Sequence, residues 1–402
     1  MAWRDCTTRI YELLAITVTL ILCCGIIPFA GTLHSRWRWA KFRRRFDELR
    51  LAPLLDYRLL REAGAEGGVF RLLGGVESVT EGRALWVKGE NLTIPVSLEN
   101  TESWIMLMRG EEGAARAPER VRWNRVSTLT EGAKVFVGGR LQSEGAGFVS
   151  AKDDPLMVIF YDCPDEALAE TVIRSGRTRN EYLNGATPVS LFIGALAQVS
   201  IAASFLDRPA YRLTVISALI ALCVPALPWF PPGLLFTLLY RRLSWHALSL
   251  RAGRDLIRLP LRYLPPGEES AVLSTGERYG YAEYDSFPSG AEGAESGMPV
   301  LPPESLHKGI EKGRNGRWRI YGVLAGMGEE GGKIPIKSKD PFVSYGLLPA
   351  RALLLARRYT VSAYAFEALA WLAIIAGIIL NIVFVFMILS LFRVVSFSGF
   401  GA

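Results

Sequence analysis

Several residue groups in this 402-residue chain have types and spacings that could do chemistry. Gly326-Met327-Gly328-Glu329-Glu330-Gly331 matches G-x-G-x-x-G, the spacing that lets a helix N-terminus approach a pyrophosphate. Gly332-Lys333-Ile334-Pro335 follows, an extended segment where that use requires a helix, and the two glutamates would repel phosphate. The run therefore reads as a hairpin turn. Asp162-Cys163-Pro164-Asp165-Glu166 sets acids around a cysteine and could suit a metal. It is met more simply by a dipole-matched helix, with Pro164 at its first position, acids in the first turn, and Arg174, Arg177 and Arg179 late. Asp153, Asp154, Asp162 and Asp340 would form an acidic site only if the fold gathered them. His34, His246 and His307 form no H-E-x-x-H and no pair at metal spacing, and no serine sits in G-x-S-x-G. The expectation is a protein with no catalytic, cofactor or metal residues, and not an enzyme.

A basic and aromatic signal remains. Trp37, Arg43, Arg44 and Arg45 follow the first apolar run, and Trp245, Arg251 and Arg258 follow the third. Indoles favour the membrane interface, and arginines beside anionic headgroups contribute about 1 kcal/mol each. These seven are the candidate lipid-headgroup and interface residues, although fixing topology alone would account for the charges. Because the basic residues bunch beside apolar runs, the formal charge of +7 points to a bilayer rather than to nucleic acid. The five cysteines offer neither a disulfide framework nor a zinc module. Arginine outnumbers lysine, which suggests a GC-rich bacterial genome.

The elements that carry these residues are membrane spans. Crossing a hydrocarbon core of about 30 Å takes roughly 20 residues of helix, and four apolar runs qualify: 10–33, 185–206, 213–240 and 362–392. Pro225, Pro228, Pro231 and Pro232 predict that the third is kinked or broken. Gln198 and Asn381 are the polar residues noted inside the spans, with Glu367 at the mouth of the fourth as an interfacial charge. Basic flanks put both large loops in the cytoplasm of an inner-membrane protein, and the short termini 1–9 and 393–402 outside.

A repeat organises the loops. Trp37, Arg43, Asp47, Arg50 and Leu51 recur as Trp245, Arg251, Asp255, Arg258 and Leu259. On a helix the Arg-Asp-Arg row falls on one face and can pair at i,i+3 and i,i+4. Val135, Val137, Asp154 and Pro155 recur as Tyr321, Val323, Asp340 and Pro341. Each unit would be a span, a basic juxtamembrane helix (34–67; 241–265), a β domain (68–161; 266–350, with a flexible insertion at 281–306) and a returning span. An amphipathic helix at 162–184 closes the first unit. Candidate strands in the first β domain are 84–88, 92–98, 104–109, 120–126, 134–141 and 156–161, a pattern that suits an OB-like barrel or sandwich. The fold expected is thus an α+β membrane protein with four transmembrane helices and two small cytoplasmic β domains, a tandem duplication.

Arg122-Trp123-Asn124-Arg125-Val126 and Leu129 through Gly139 resemble the last strands of the GIDE-type domain, a membrane-anchored β module of bacteria and of mitochondrial ubiquitin ligases. The resemblance covers under a quarter of the chain. The family's ligases carry a RING with eight zinc ligands, for which this chain lacks the cysteines and histidines, so ligase activity does not carry over. The function expected is a scaffold or accessory subunit that binds a protein partner at the cytoplasmic face. A transporter component, or a membrane enzyme with an acidic site, are the alternatives.

Overall fold

The computed structural model describes residues 2–63, 68–80, 84–99, 101–106, 118–121, 131–142, 147–150, 154–175, 182, 184–229, 231, 233–265, 267–285, 317–327 and 333–391. The chain divides into two compact units: Met1–Ala40, Asn180–Ala247 and Ala363–Ala402 form one, and Lys41–Arg179 with Leu248–Ser362 form the other.

The first unit is helical. α1 (Ala2–Leu20) passes through a π-helical turn (Ile21–Ile26) into α2 (Ile27–Arg50), so the expected span and juxtamembrane helix are one continuous helical run. Pro28 explains the turn. A proline inside a helix lacks the N–H for the carbonyl four residues back, here that of Cys24, and its ring crowds that oxygen. The released Cys24 carbonyl accepts a hydrogen bond from the Tyr182 hydroxyl at 2.6 Å. α5 (Ala186–Phe205) is a regular helix; α3 and α4 belong to the other unit, as Tyr57–Ala63 and Asp165–Arg174. The third apolar run is broken where its prolines predict, into α6 (Arg212–Cys223), a 3-10 stretch (Val224–Trp229) and the start of α7 (Gly233–Leu261). α8 (Ala352–Leu391) is a single helix.

Among the described residues, three helical stretches are long and apolar enough to cross a membrane: Ile10–Arg50, Ala186–Phe205 and Ala352–Val385. The expected fourth lacks one unbroken helix of that length, because Pro225 and its neighbours end α6 after 12 residues. Side-chain placement in this unit is inverted relative to a protein in water. Phe192, Leu235 and Leu372 are 65%, 69% and 62% exposed, whereas Ser190, Gln198, Thr214 and Asn381 are buried. Hydrocarbon outside and polar groups inside is the arrangement a bilayer favours.

The second unit holds the β structure. Its first eight strands are β1 (Val69–Thr80), β2 (Ala84–Lys88), β3 (Thr93–Ser97), β4 (Glu102–Met106), β5 (Glu119–Val121), β6 (Lys134–Gln142), β7 (Gly147–Phe148) and β8 (Met157–Tyr161). Strands β1, β2, β3, β7 and β6 close into a five-stranded barrel, with one parallel junction where Val96 of β3 meets Phe148 of β7. β6 also pairs with β8, and β8 with β4 and β4 with β5, so these three run off the ring. Leu72, Leu85, Val87, Ile94, Val96, Val135, Val137 and Phe148 fill the core. Gly132, in the turn before β6, has φ of 83°, the left-handed region that favours glycine.

The strand expectations hold for β2, β3, β6 and β8 to within a residue or so at each end; residues 107–109 and 122–126 lie outside the described set. β1, the longest strand of this module, was not expected. Its Leu72-Leu73-Gly74-Gly75 centre does not alternate; the strand pairs with β6 up to Gly75 and with β2 from Gly75 onward. The helix expected over 162–184 is described as α4, Asp165–Arg174, with Pro164 as its N-cap rather than its first residue; residues 176–181 lie outside the described set.

The second module contains β9 (Ser270–Val272), β10 (Arg278–Tyr284), β11 (Trp318–Met327), β12 (Lys333–Ile336) and β13 (Gly346–Pro349). Strand β10 occupies the first residues of the insertion expected at 281–306, and residues 286–306 lie outside the described set. Gly326 lies in β11, residues 328–332 of the G-x-G-x-x-G run and its turn lie outside the described set, and the next strand, β12, pairs antiparallel with β11.

The two modules share a pairing register. Val135 pairs with Phe160 and Lys134 with Tyr161 in the first; Tyr321 pairs with Gly346 and Ile320 with Leu347 in the second. All four positions are displaced by one common interval. Leu72 pairs with Val137 as Tyr279 pairs with Val323, and Gly74 with Val135 as Tyr281 with Tyr321. β9 departs from this scheme: it pairs with the start of β10, whereas β2 pairs with the end of β1.

Candidate functional site

Two constructions stand out, one in each unit. In the β unit a buried ionic seam joins the modules. Arg71 of β1 lies on the barrel, and Asp340 follows β12; both are nearly inaccessible. Arg71 reaches Asp340 with two guanidinium nitrogens, Nη1 at 3.0 Å and Nη2 as an ion pair, while its Nε donates to the Ala52 carbonyl at 2.7 Å. Asp340 is held in turn: its Oδ1 accepts the Phe342 amide at 3.0 Å, and its own amide donates to Ser338 Oγ at 3.1 Å. Such a fork-to-carboxylate pair fixes geometry as well as charge.

Beside it, Phe46 of α2, Phe136 of β6 and Phe342 form a three-ring cluster with centroids 5.4–5.9 Å apart, and the Arg71 guanidinium sits 5.0 Å over Phe342. Gly138 admits α2 to the barrel, since a Cβ there would stand 3.0 Å from the Leu49 side chain. Arg50, wholly buried at the end of α2, donates weakly to Tyr263 Oη (3.3 Å) and to the Phe342 carbonyl (3.4 Å). Asp47 lies 3.8 Å from Arg50 and takes Arg262 at 2.6 Å. The expected i,i+3 pair is thus present, but Asp47 makes its closer ion pair with Arg262, just past α7.

Burial sets the protonation of this region. The Tyr279 hydroxyl donates to the Ser344 carbonyl, and burial, then Tyr263 and Tyr321, push its pKa well above the ordinary phenol value. Tyr263 is raised by burial in spite of the Arg50 and Arg71 cations. Burial also raises the Cys163 thiol, which a reactive or metal-binding cysteine would need lowered.

The carboxylates do not assemble. Asp154 is paired with Arg45, Asp340 with Arg71, and Asp165 with Lys134 at 2.8 Å. No group of three or more metal-ligating side chains occurs among the described residues, and Asp153 lies outside them. Of the headgroup candidates, Trp37 and Trp245 are exposed at 63% and 56%, and Arg44 and Arg258 are exposed. Arg43 and Arg251 are half-buried, and Arg45 turns inward to Asp154. Glu367 pairs with Arg36 at 2.6 Å.

The second construction is a cavity of about 490 Å³ in the helical unit, within the roughly 300–1,000 Å³ of sites that enclose small ligands. Phe29, Tyr182, Tyr240 and Trp371 line it, with the Trp371 ring edge-on to the other three at 6.2–6.3 Å. The π-helical turn supplies Cys24, Gly25 and Ile26. Tyr182 spends its hydroxyl on the Cys24 carbonyl, Thr187 donates to the Tyr182 carbonyl, and Asn184 donates to the Pro28 carbonyl at 3.1 Å. The polar groups therefore hold the wall together, and ring faces and hydrocarbon are left toward the space. Arg241 is an exposed member of the lining.

Hydropathy and spacing mark no residue of this cavity as a site. Its one legible signal was Pro28 four residues after Cys24 inside an otherwise regular apolar helix. Glu12, a charged residue inside the first apolar run, accepts a hydrogen bond from Thr214 at 3.0 Å. No protein-family model, curated protein or solved structure matches the chain.

Proposed function

We propose that the protein is a multi-pass inner-membrane scaffold or accessory subunit whose two β modules act as one preformed surface for a protein partner. The observation that carries this reading is the seam: Arg71 and Asp340 spend their charges on one another across the modules rather than on a substrate, and Asp47 of α2 pairs with Arg262 beside them. A fused body held this way loses little conformational entropy on docking, which favours binding. Trp86 offers an anchor of the type that dominates protein interfaces. It is partly exposed on β2 with its indole fixed by a hydrogen bond to Thr80 Oγ1.

Four crossings, cytoplasmic modules and external termini remain the topology of this proposal, with α6 and the apolar start of α7 sharing the third crossing. Each β module is OB-like and derived by tandem duplication, a reading supported by the common register and by the ring order β1-β2-β3-β7-β6 with its parallel β3–β7 junction. The GIDE-type likeness of residues 122–139 belongs to the same proposal. The partners are the bilayer and one protein, without nucleic acid. The alternatives draw less support. Asn381, which a transport pathway would use, accepts the Gly233 amide at 3.2 Å, and the acids an enzyme would use sit in separate ion pairs.

Crosslinking in cells followed by purification of the full chain in mild detergent tests the proposal. A stoichiometric protein, depleted by Trp86→Glu at unchanged expression, is expected. Recovery of the chain alone would refute it.

A further inference from the structure

We infer that the cavity of the helical unit is a binding site for one hydrocarbon chain of an anionic membrane phospholipid, with the headgroup at Arg241. The lining fixes the chemistry of the occupant. Phe29, Trp371 and Ile375 present ring faces and methyl groups, and the nearby Tyr182 hydroxyl is already engaged with Cys24. A ligand that needed hydrogen bonds in the interior would lose them on entry, whereas an acyl chain needs none.

The surroundings fix the source. The unit turns large apolar side chains such as Phe192, Leu235 and Leu372 outward. An apolar space open to such an environment fills with hydrocarbon rather than water, since genuinely apolar cavities stay dry.

Charge fixes the headgroup. Arg241 and Arg242 end the apolar start of α7, and Arg241 is both exposed and part of the lining. A phosphate diester meeting that guanidinium leaves its chain to run past Trp371 into the space beside Gly25.

The π-helical turn is what opens the site. Gly25, an exposed member of the lining, is a position where a Cβ would meet nothing within 4 Å, so the wall here leaves room for a side chain. π-helical turns are rare and are found often at functional positions. This inference does not depend on the scaffold reading, because it concerns residues of the helical unit alone.

The test uses the full chain in phosphatidylcholine vesicles doped with a phosphatidylglycerol that carries a photoreactive group in its acyl chain. After irradiation, adducts are mapped by peptide mass spectrometry. Labelling at the half-buried lining residues Trp371, Ile374 and Ile378 should saturate at low mole fraction, while labelling at lipid-facing Phe192 rises in proportion to the probe. An equally loaded phosphatidylcholine probe should label the cavity about fivefold less, the factor equivalent to ~1 kcal/mol for one basic side chain near an anionic headgroup. Gly25→Leu should fill the space and cut cavity labelling at least tenfold without changing Phe192. Leu191→Phe, on the same wall, serves if that variant does not fold. Arg241→Gln should abolish the headgroup preference and keep the labelling. Cavity labelling that rises linearly like Phe192, or that survives a folded filling variant, overturns the inference. Saturable labelling without headgroup preference overturns its anionic part.

Discussion

Replacing Arg71 by methionine tests the seam most directly. The side chain keeps most of its apolar stem, so the change removes the guanidinium with little loss of packing. Asp340, 3% exposed at its side chain, is then left with the Phe342 amide as its described donor. Breaking a buried pair from one side costs about 3–5 kcal/mol, because the remaining charge stays desolvated and uncompensated. Asp340→Asn strands Arg71 in the same way, although its Nε keeps the Ala52 carbonyl. The double variant Arg71→Met/Asp340→Asn carries neither charge and retains an acceptor for the Phe342 amide, so its cost should fall to about 1–2 kcal/mol. The double variant should therefore cost about 4–9 kcal/mol less than the two single effects summed, which is the coupling a double-mutant cycle reads. Amide hydrogen exchange on the full chain in detergent reads this locally. Each ~1.4 kcal/mol is tenfold in exchange rate, so either single variant should speed exchange in β1 and β13 by more than a hundredfold. The double variant should recover most of that protection. A single-variant effect below tenfold, or a double variant as labile as the two effects summed, would refute the claim that this pair holds the modules together.

Other outcomes follow from the same geometry. The pKa values of Tyr279 and Tyr263 are raised on folding, so their stabilising effect is complete below about pH 10 and is lost as pH climbs toward their folded values. Thermal melting between pH 8 and 11.5 should show stability falling by up to about 1.4 kcal/mol per pH unit for each tyrosine. Tyr279→Phe should flatten this limb while costing about 1 kcal/mol at pH 8 for the bond to Ser344; an unchanged limb would show that Tyr279 ionises as freely as in water. Cys163, buried and with its thiol pKa raised, should react with maleimide far more slowly in the native protein than after denaturation; equal rates would contradict that burial. Gly377→Leu should destabilise the helical unit, since a Cβ there meets Phe236 Cβ at 2.7 Å; a melting temperature equal to wild type would contradict that contact. Asn381→Leu should cost about 1–3 kcal/mol by leaving the Gly233 amide unsatisfied at the buried start of α7, measured as lost protection over residues 233–240.

Hydropathy and spacing carried much of this architecture before any coordinates. Apolar runs are summed over neighbours in sequence, so Ile10–Arg50, Ala186–Phe205 and Ala352–Val385 were legible as membrane-length helices, and four prolines announced the break after Cys223. Short strands with turn glycines, such as β2 and β6, were legible for the same local reason. The offset between Val135 and Tyr321 foretold a shared register that the ladders β6–β8 and β11–β13 display. Only the tertiary structure decided what those residues do. Arg71 and Asp340 are 269 positions apart, and nothing local distinguishes them from the other arginines and aspartates of a charged chain. Their pairing requires that β1 and the turn after β12 meet, which is a property of the assembled sheets. The arginines expected to face lipid divide in the same manner: Arg44 stays exposed, while Arg45, one position on, turns toward Asp154 because α2 presents that side to the barrel. The cavity at Gly25 is likewise a product of assembly, since Pro28 frees a carbonyl in one helix and Tyr182, far along the chain, takes it. Local chemistry determined which elements form and in what order; the contacts between distant segments determined which charges are spent on folding and where a space is left open.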